Sequence, residues 1–225
     1  VHNLPGYPLG SVILQQRGAA AASTGLRITL AGATSHASEP YRGRNPIPVL
    51  ADLVHAIQAT PGTCLPYGRS GLATLVHMQA GQEAYGSSPA QGRLGVTLRA
   101  DEQEDLDAMV AHLCQQVEHR SRASGLHGEV ELVEPFPATI NHAEAVADVE
   151  RAATRAGLPL IRLDRPFPWS EDFGHATRLW PGALIGLGAG DAHPALHSAE
   201  YDFPDSLLAL GARLWLAVAT GSATA

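Results

Sequence analysis

Aromatic residues are scarce in this chain, 5% of 225 positions, so no conspicuous group of rings points to a substrate pocket. Cysteine is scarcer still. Cys64 and Cys114 make neither a metal-spaced nor a redox pair, and Cys114 falls in an amphipathic helical pattern where a buried, inert thiol is expected. No apolar run approaches the roughly 20 residues of a membrane span. No basic-then-apolar leader opens the sequence either, which makes a cytoplasmic protein the expectation. The chain begins at Val1 rather than Met, and an upstream segment is expected on that ground. Basic residues are outnumbered, 15 Lys and Arg against 22 Asp and Glu, and no basic stripe is present, which argues against nucleic acid as a partner. What is there, 45% hydrophobic and 16% charged, fits a soluble globular protein of one large domain or two small ones.

Two breaks in composition organise the chain: a small-residue hinge at Ala19–Ser23 and a second at Pro135–Asn141. Between them, Leu26–Ala31 alternates apolar and polar residues as a half-buried strand does. Residues Pro46–Thr60 place Ile47, Leu50, Ala51, Val54 and Ile57 at helical spacing, with Pro46 in the first turn and Pro61-Gly62 as the stop. Leu72–Gln79 and Arg93–Arg99 read as strands, Glu104–Ala123 as an amphipathic helix stopped by Gly125, and Glu129–Val133 as a fourth strand. The order β-α-β-β-α-β predicts a ferredoxin-like unit, an antiparallel sheet covered by two helices. The flanks differ. Val1–Leu14 is rich in Gly and Pro, and after Asn141 a helix (Ala143–Ala156), a strand (Leu160–Leu163), a short helix (Ser170–Leu179), a buried strand (Ala183–Leu187) and a terminal helix (Pro204–Thr220) follow. That alternation predicts part of a larger α/β domain into which the β-α-β-β-α-β unit is inserted.

Eleven histidines must be weighed one by one. His55, His77, His112 and His119 lie within helical or strand patterns, and His127, His142 and His175 lie near turns; surface or structural roles suffice for all of them. His2 opens His2-Asn3-Leu4-Pro5-Gly6-Tyr7-Pro8-Leu9-Gly10, read as a residue just past a buried strand and before a loop stiffened by Pro and Gly. A metal ligand needs such rigidity; a frayed terminal residue is the alternative. His36 lies in Ser35-His36-Ala37-Ser38-Glu39-Pro40 at a strand end, placed either to donate to an oxyanion or to cap something local. His197 follows Gly186–Gly190, read as a Gly-rich turn after a buried strand, where open α/β sheets place ligands; a surface-loop histidine is the alternative, and His193 is the less favoured candidate. Glu171 and Asp172 stand at a helix start, where N-capping competes with a role near substrate.

In order, His2–Gly10, Ser35–Pro40, Gly81–Pro89, Gly95–Arg99, Pro137–Asn141, Ser170–Phe173 and Leu196–Ser198 with Tyr201–Phe203 resemble one family. It is the di-metal amidohydrolase/peptidase family that includes hippurate hydrolase, auxin-conjugate hydrolase and N-acetyl-diaminopimelate deacetylase. The resemblance covers almost the whole chain. It implies an α/β fold, the C-terminal part of a zinc-peptidase-like catalytic domain carrying a ferredoxin-like lid, or dimerisation, domain. The expected divisions are a catalytic-domain segment at 1–23, the lid at 24–137 and the rest of this part of the catalytic domain at 138–225. It implies metal-ligating roles for His2 and His197, with Zn, Mn or Co as the divalent ion, and an approach of His36 to the substrate carbonyl, in many relatives across a dimer interface. Arg99, Glu171 and Asp172 match positions near the substrate, an N-acyl amino acid or small peptide whose amide is hydrolysed. A homodimer formed through the lid is implied as well.

The sequence also departs from the pattern. Relatives supply further ligands from a Cys-x-His or His-x-Asp segment and a general base from a Glu-Glu pair, all upstream of the position of His2, and none is found here. Two imidazoles fall short of the three or four protein ligands such an ion usually takes. Gly86 stands where relatives carry Asn, and Ser87-Ser88 where they carry apolar residues. The expectation is therefore a metal-dependent amidohydrolase in an incomplete chain. The alternatives are a non-catalytic remnant acting through lid-mediated self-association, and one piece of a split enzyme completed by an N-terminal chain.

Overall fold

The computed structural model describes residues 1–221. In chain order the elements are β1 His2–Pro5, β2 Val12–Gln15, β3 Gly18–Ala20, β4 Ala22–Ala31, β5 Ser35–His36, α1 Ile47–Cys64, β6 Gly71–Ala80, β7 Ser87–Ser88, β8 Gln91–Ala100, α2 Gln103–Ala123, β9 His127–Phe136, β10 Thr139–Ile140, α3 Ala143–Arg155, β11 Leu160–Leu163, α4 Phe173–Thr177, β12 Gly186–Gly190 and α5 Ser206–Gly221. The chain divides into two compact units, one of residues 22–137 and one formed by residues 1–21 with the segment from Ala138 onward.

In the inserted unit an antiparallel sheet runs in the order β6-β8-β4-β9. Strands one and three of the β-α-β-β-α-β sequence lie at its centre, which is the ferredoxin-like arrangement. Period-two alternation dictates the layers: Leu26, Ile28 and Leu30 of β4 and Leu94, Val96 and Leu98 of β8 are buried, while Arg27 of β4 and Arg93 of β8, on the alternate positions, are exposed. Leu50, Leu53 and Ile57 of α1 and Met109, Leu113 and Val117 of α2 are the matching buried stripes. Truncating any one of these leucines to alanine is worth about 2–5 kcal/mol.

Helix α1 corrects one expectation. It does not stop at Pro61-Gly62 but runs on to Cys64. Proline removes one N–H rung, yet its fixed φ suits a helix, and near the end of α1 only a short stretch is affected. The Thr60 and Thr63 hydroxyls donate to the carbonyls of Ala56 and Ala59, and the Leu65 N–H closes the last turn on the Pro61 carbonyl.

The flanking unit is built on a sheet in the order β1-β12-β2-β11, with β1 parallel to β12, β12 antiparallel to β2 and β2 parallel to β11. Helices α3 and α5 pack on one face through Val146, Val149, Ala153, Leu207 and Leu214, against Val12, Leu14 and Leu187. On the other face Leu4 and Ile13 pack with Phe167, with Trp169 and Tyr7 partly buried beside them. Two further expectations shift here. The short helix over Ser170–Leu179 shrinks to the five residues of α4, and the buried strand expected at Ala183–Leu187 lies at Gly186–Gly190.

The second shift has a steric cause. The glycines taken for a turn are the strand, because β1 and the loop that follows it come too close for side chains. A Cβ at Gly186 would lie 2.2 Å from Leu4 Cδ1, and one at Gly188 would lie 2.1 Å from the Pro8 carbonyl oxygen. Leu187 and Ala189, which alternate with them, point into the helix-covered core. The interval Ala19–Ser23, expected as a small-residue hinge, is buried and, apart from Ala21, strand-forming, with β3 paired to β10.

Gly188→Ala is expected to lower stability by about 1–3 kcal/mol, the usual cost of overpacking a close-packed interior, and more if the backbone yields. A urea midpoint unchanged from wild type would contradict the close approach. Burial pushes the Cys64 and Cys114 thiols above their ordinary range. Less thiolate is then present at a given pH than for a free cysteine, so alkylation of the folded chain should be slow near neutrality, accelerate as pH rises, and speed up in urea. Timed iodoacetamide labelling with mass readout checks this.

Candidate active site

His2 lies within β1, opposite Gly186 of β12, and not past the end of a strand as the sequence suggested. Its Nδ1 is 2.8 Å from the Asn3 carbonyl oxygen. A carbonyl only accepts, so Nδ1 carries a proton, and in the neutral ring Nε2 presents a lone pair. This is the state a metal-ligating histidine takes when a backbone carbonyl holds its other nitrogen. The ring leans on Trp169, 5.1 Å between centroids, and Trp169 stacks on Phe167 at 4.6 Å.

Glu171 Oε1 lies 3.7 Å from His2 Nε2, with both side chains about one-third exposed. Two acceptors facing each other repel unless a proton or a cation lies between them. An ion at about 2.1 Å from each donor in tetrahedral geometry would separate them by about 3.4 Å. The pair is thus close to the spacing of one edge of such a site. Among the described residues no three His, Cys, Asp or Glu side chains come together to complete it.

His197 is in the loop after β12 and has a left-handed backbone, φ 67°. Few residues other than glycine adopt that region, histidine being among the more tolerant. The loop is tied down on both sides of it. His193 Nε2 donates to the Asp202 carbonyl at 2.7 Å, and its ring meets the edge of Tyr201, 5.5 Å between centroids. The Tyr201 hydroxyl in turn accepts from the Asn3 amide. One hydrogen bond therefore joins the strand that carries His2 to the loop that carries His197.

Asp172 occupies the N-cap position of α4, but its side chain makes no capping bond; only its carbonyl is used, by the His175 N–H. The capping role weighed from the sequence is not the one it plays. In the inserted unit, Arg99 lies on β8 opposite Ser23 of β4 and Leu72 of β6. His36 is exposed on β5, which pairs with β7 so that Ser35 faces Ser88 and His36 faces Ser87. The site residues thus fall into two groups. His2, Glu171, Asp172 and His197 belong to the flanking unit, and His36 and Arg99 to the inserted one.

Sequence reasoning missed Trp169, Asn3 and Tyr201 as parts of the site. Low aromatic content argued against a ring cluster, yet Phe167 and Trp169 converge beside His2. Asn3 and Tyr201 stood inside quoted motifs, but nothing in their spacing linked residues 198 positions apart.

Comparisons with known proteins agree with this fold. Residues 19–124 match the peptidase dimerisation domain of the M20 family. The N-acetyldiaminopimelate deacetylase of Leuconostoc mesenteroides is 26% identical over 218 residues, spanning 94% of this chain and 55% of that protein. The N-acetylcysteine deacetylase of Bacillus subtilis is 21% identical over 199 residues, spanning 88% of this chain and 52% of that protein. A crystal structure from Bacillus subtilis, described as a dinuclear metal-binding M20 peptidase, superposes with a TM-score of 0.77 at 18% identity over 97% of this chain and 55% of that one. The inserted unit thus matches a peptidase dimerisation domain, and the chain as a whole shares the fold of that structure, a ferredoxin-like domain inserted into part of an α/β domain. It spans about half the length of the curated relatives it matches.

Tyr201→Phe keeps the ring against His193 but removes the acceptor for Asn3. The loop from Asp191 to Pro204 should then lose amide-exchange protection, and stability should fall by about 0.5–1.5 kcal/mol. Unchanged protection in hydrogen-exchange mass spectrometry would mean the loop is held by other contacts.

Proposed function

We propose that this chain supplies the lid and the C-terminal share of the active site of a metal-dependent amidohydrolase that cleaves the amide of an N-acyl amino acid or small peptide. The observation that carries the reading is the placement of His2: its Nδ1 lies against the Asn3 carbonyl and its Nε2 faces the Glu171 carboxylate at 3.7 Å. The named activities of the relatives, deacetylation of N-acetyldiaminopimelate and of N-acetylcysteine, support the substrate class.

In this reading His2 and His197 would hold a divalent ion, Zn, Mn or Co, which when bound supplies Lewis acidity and activates water. Glu171, a substrate-side residue by resemblance, stands near enough to Nε2 to share that ion. Asp172 and Arg99 match substrate-side positions by resemblance. His36 would donate a hydrogen bond to the carbonyl oxygen as it gains negative charge, an interaction whose loss elsewhere has cost about 10²–10³ in turnover. The remaining ligands and the general base would come from a segment upstream of His2, and the lid would pair two copies into a homodimer. A cytoplasmic location goes with this assignment; among the described residues no helix is long and apolar enough to cross a membrane.

A second reading, a non-catalytic chain acting through self-association, is favoured by one observation: no three-donor group forms among the described residues. The two separate in one assay. The purified chain, alone and mixed with an upstream segment carrying the Cys-x-His and Glu-Glu motifs, is given Zn²⁺, Mn²⁺ or Co²⁺ and tested on hippurate and N-acetyl amino acids, with bound metal measured. Turnover that appears on mixing and is lost in His197→Ala and His36→Ala is the expected result. No turnover with either preparation, while the chain still dimerises, would overturn the hydrolase reading for this chain.

A further inference from the structure

We propose that Ser38 is a positioning residue for His36, holding its imidazole in the tautomer whose only proton is on Nε2. The inference rests on the reading of His36 as the donor to the substrate carbonyl and states what makes it one. The Ser38 backbone nitrogen lies 3.2 Å from His36 Nδ1, and the Ser38 hydroxyl oxygen lies 2.7 Å from the same atom. A backbone N–H can only donate, so Nδ1 is the acceptor. The hydroxyl, meeting a nitrogen that has no proton, must donate to it as well. A neutral imidazole has one donor and one acceptor nitrogen, which leaves the proton on Nε2 of an exposed ring.

The backbone beneath the ring is fixed independently. The Ser35 N–H donates to Ser88 Oγ at 3.1 Å, the two hydroxyls meet at 2.9 Å, and the Ala37 N–H donates to the Gly86 carbonyl at 3.0 Å. These bonds hold β5 on both sides of His36, so the freedom left is rotation of the ring and choice of tautomer. Ser38 removes both. The Gly86 and Ser87-Ser88 departures thus retain a function: their backbone and hydroxyl groups carry the strand.

The contrast with His2 gives the inference its chemical sense. His2 Nδ1 is bound to a carbonyl acceptor, which leaves Nε2 a lone pair suited to a cation. His36 Nδ1 is bound to donors, which leaves Nε2 a proton suited to an oxyanion. The same side chain is set in opposite tautomers by its immediate neighbours.

Long-range ¹⁵N–¹H correlation spectra of the uniformly labelled chain, at a pH where the rings are neutral, read the tautomer without any turnover. In wild type the His36 Nδ1 shift should be pyridine-like and the Nε2 shift pyrrole-like. In Ser38→Ala the backbone N–H still donates but the shorter hydroxyl bond is gone, so the two shifts should move part-way toward each other, and Ser38→Thr should restore their separation. Identical ring shifts in wild type and Ser38→Ala, or a pyrrole-like Nδ1 in wild type, would overturn the assignment. Because the spectra need no substrate, they can fail or succeed separately from the hydrolysis assay.

Discussion

The flanking unit depends on the close approach that glycines allow on β12. With no Cβ at Gly186, the Leu4 side chain lies across that strand; with none at Gly188, the Pro8 carbonyl lies against it. Backbone bonds then lock the approach, from the Gly10 N–H to the Gly188 carbonyl and from the Gly188 N–H to the Ser11 carbonyl. The parallel pairing of β1 with β12 follows, and it fixes where His2 and Asn3 stand. Their neighbours do the rest: Asn3 fastens the loop of His197 through Tyr201, and the Asn3 carbonyl sets the His2 tautomer. A packing constraint becomes a chemical one within three residues of chain.

The inserted unit follows a separate logic. Its core is the ordinary alternation of β4 and β8 under two amphipathic helices, and its candidate residue His36 stands on the short pair of β5 with β7 outside the main sheet. Large apolar side chains on β6, Leu72, Val76 and Met78, remain exposed along an edge strand of that sheet. Exposed strand edges invite pairing with another chain, which accords with a domain whose family relatives are named for dimerisation.

Much of the fold was legible where periodicity was strong. The stripe Leu106, Met109, Leu113 and Val117 marked α2, the span Leu160–Leu163 was read as observed, and Gly125 ended α2 with φ +64° as a left-handed stop should. Legibility failed where one residue type serves two physical purposes. Glycines signal turns, but in Gly186–Gly190 they permit strands to approach; proline signals helix ends, but Pro61 is accommodated in the last turn of α1. Of the candidate site, His2, His36 and His197 could be singled out by motif, but their states could not. The bonds that set tautomers come from the Asn3 carbonyl and from Ser38, local groups whose orientation only the folded backbone decides. The meeting of His2 with Glu171, far along the chain, was beyond any local pattern.

The central claim is that His2 and Glu171 face each other as two donors with room for a cation between them. Anomalous diffraction at the zinc edge, from crystals of the chain combined with the upstream segment that supplies the remaining ligands and exposed to Zn²⁺, tests it directly. The account predicts a peak bonded to both His2 Nε2 and Glu171 Oε1. A Zn²⁺ site elsewhere, with none between His2 and Glu171, would contradict it.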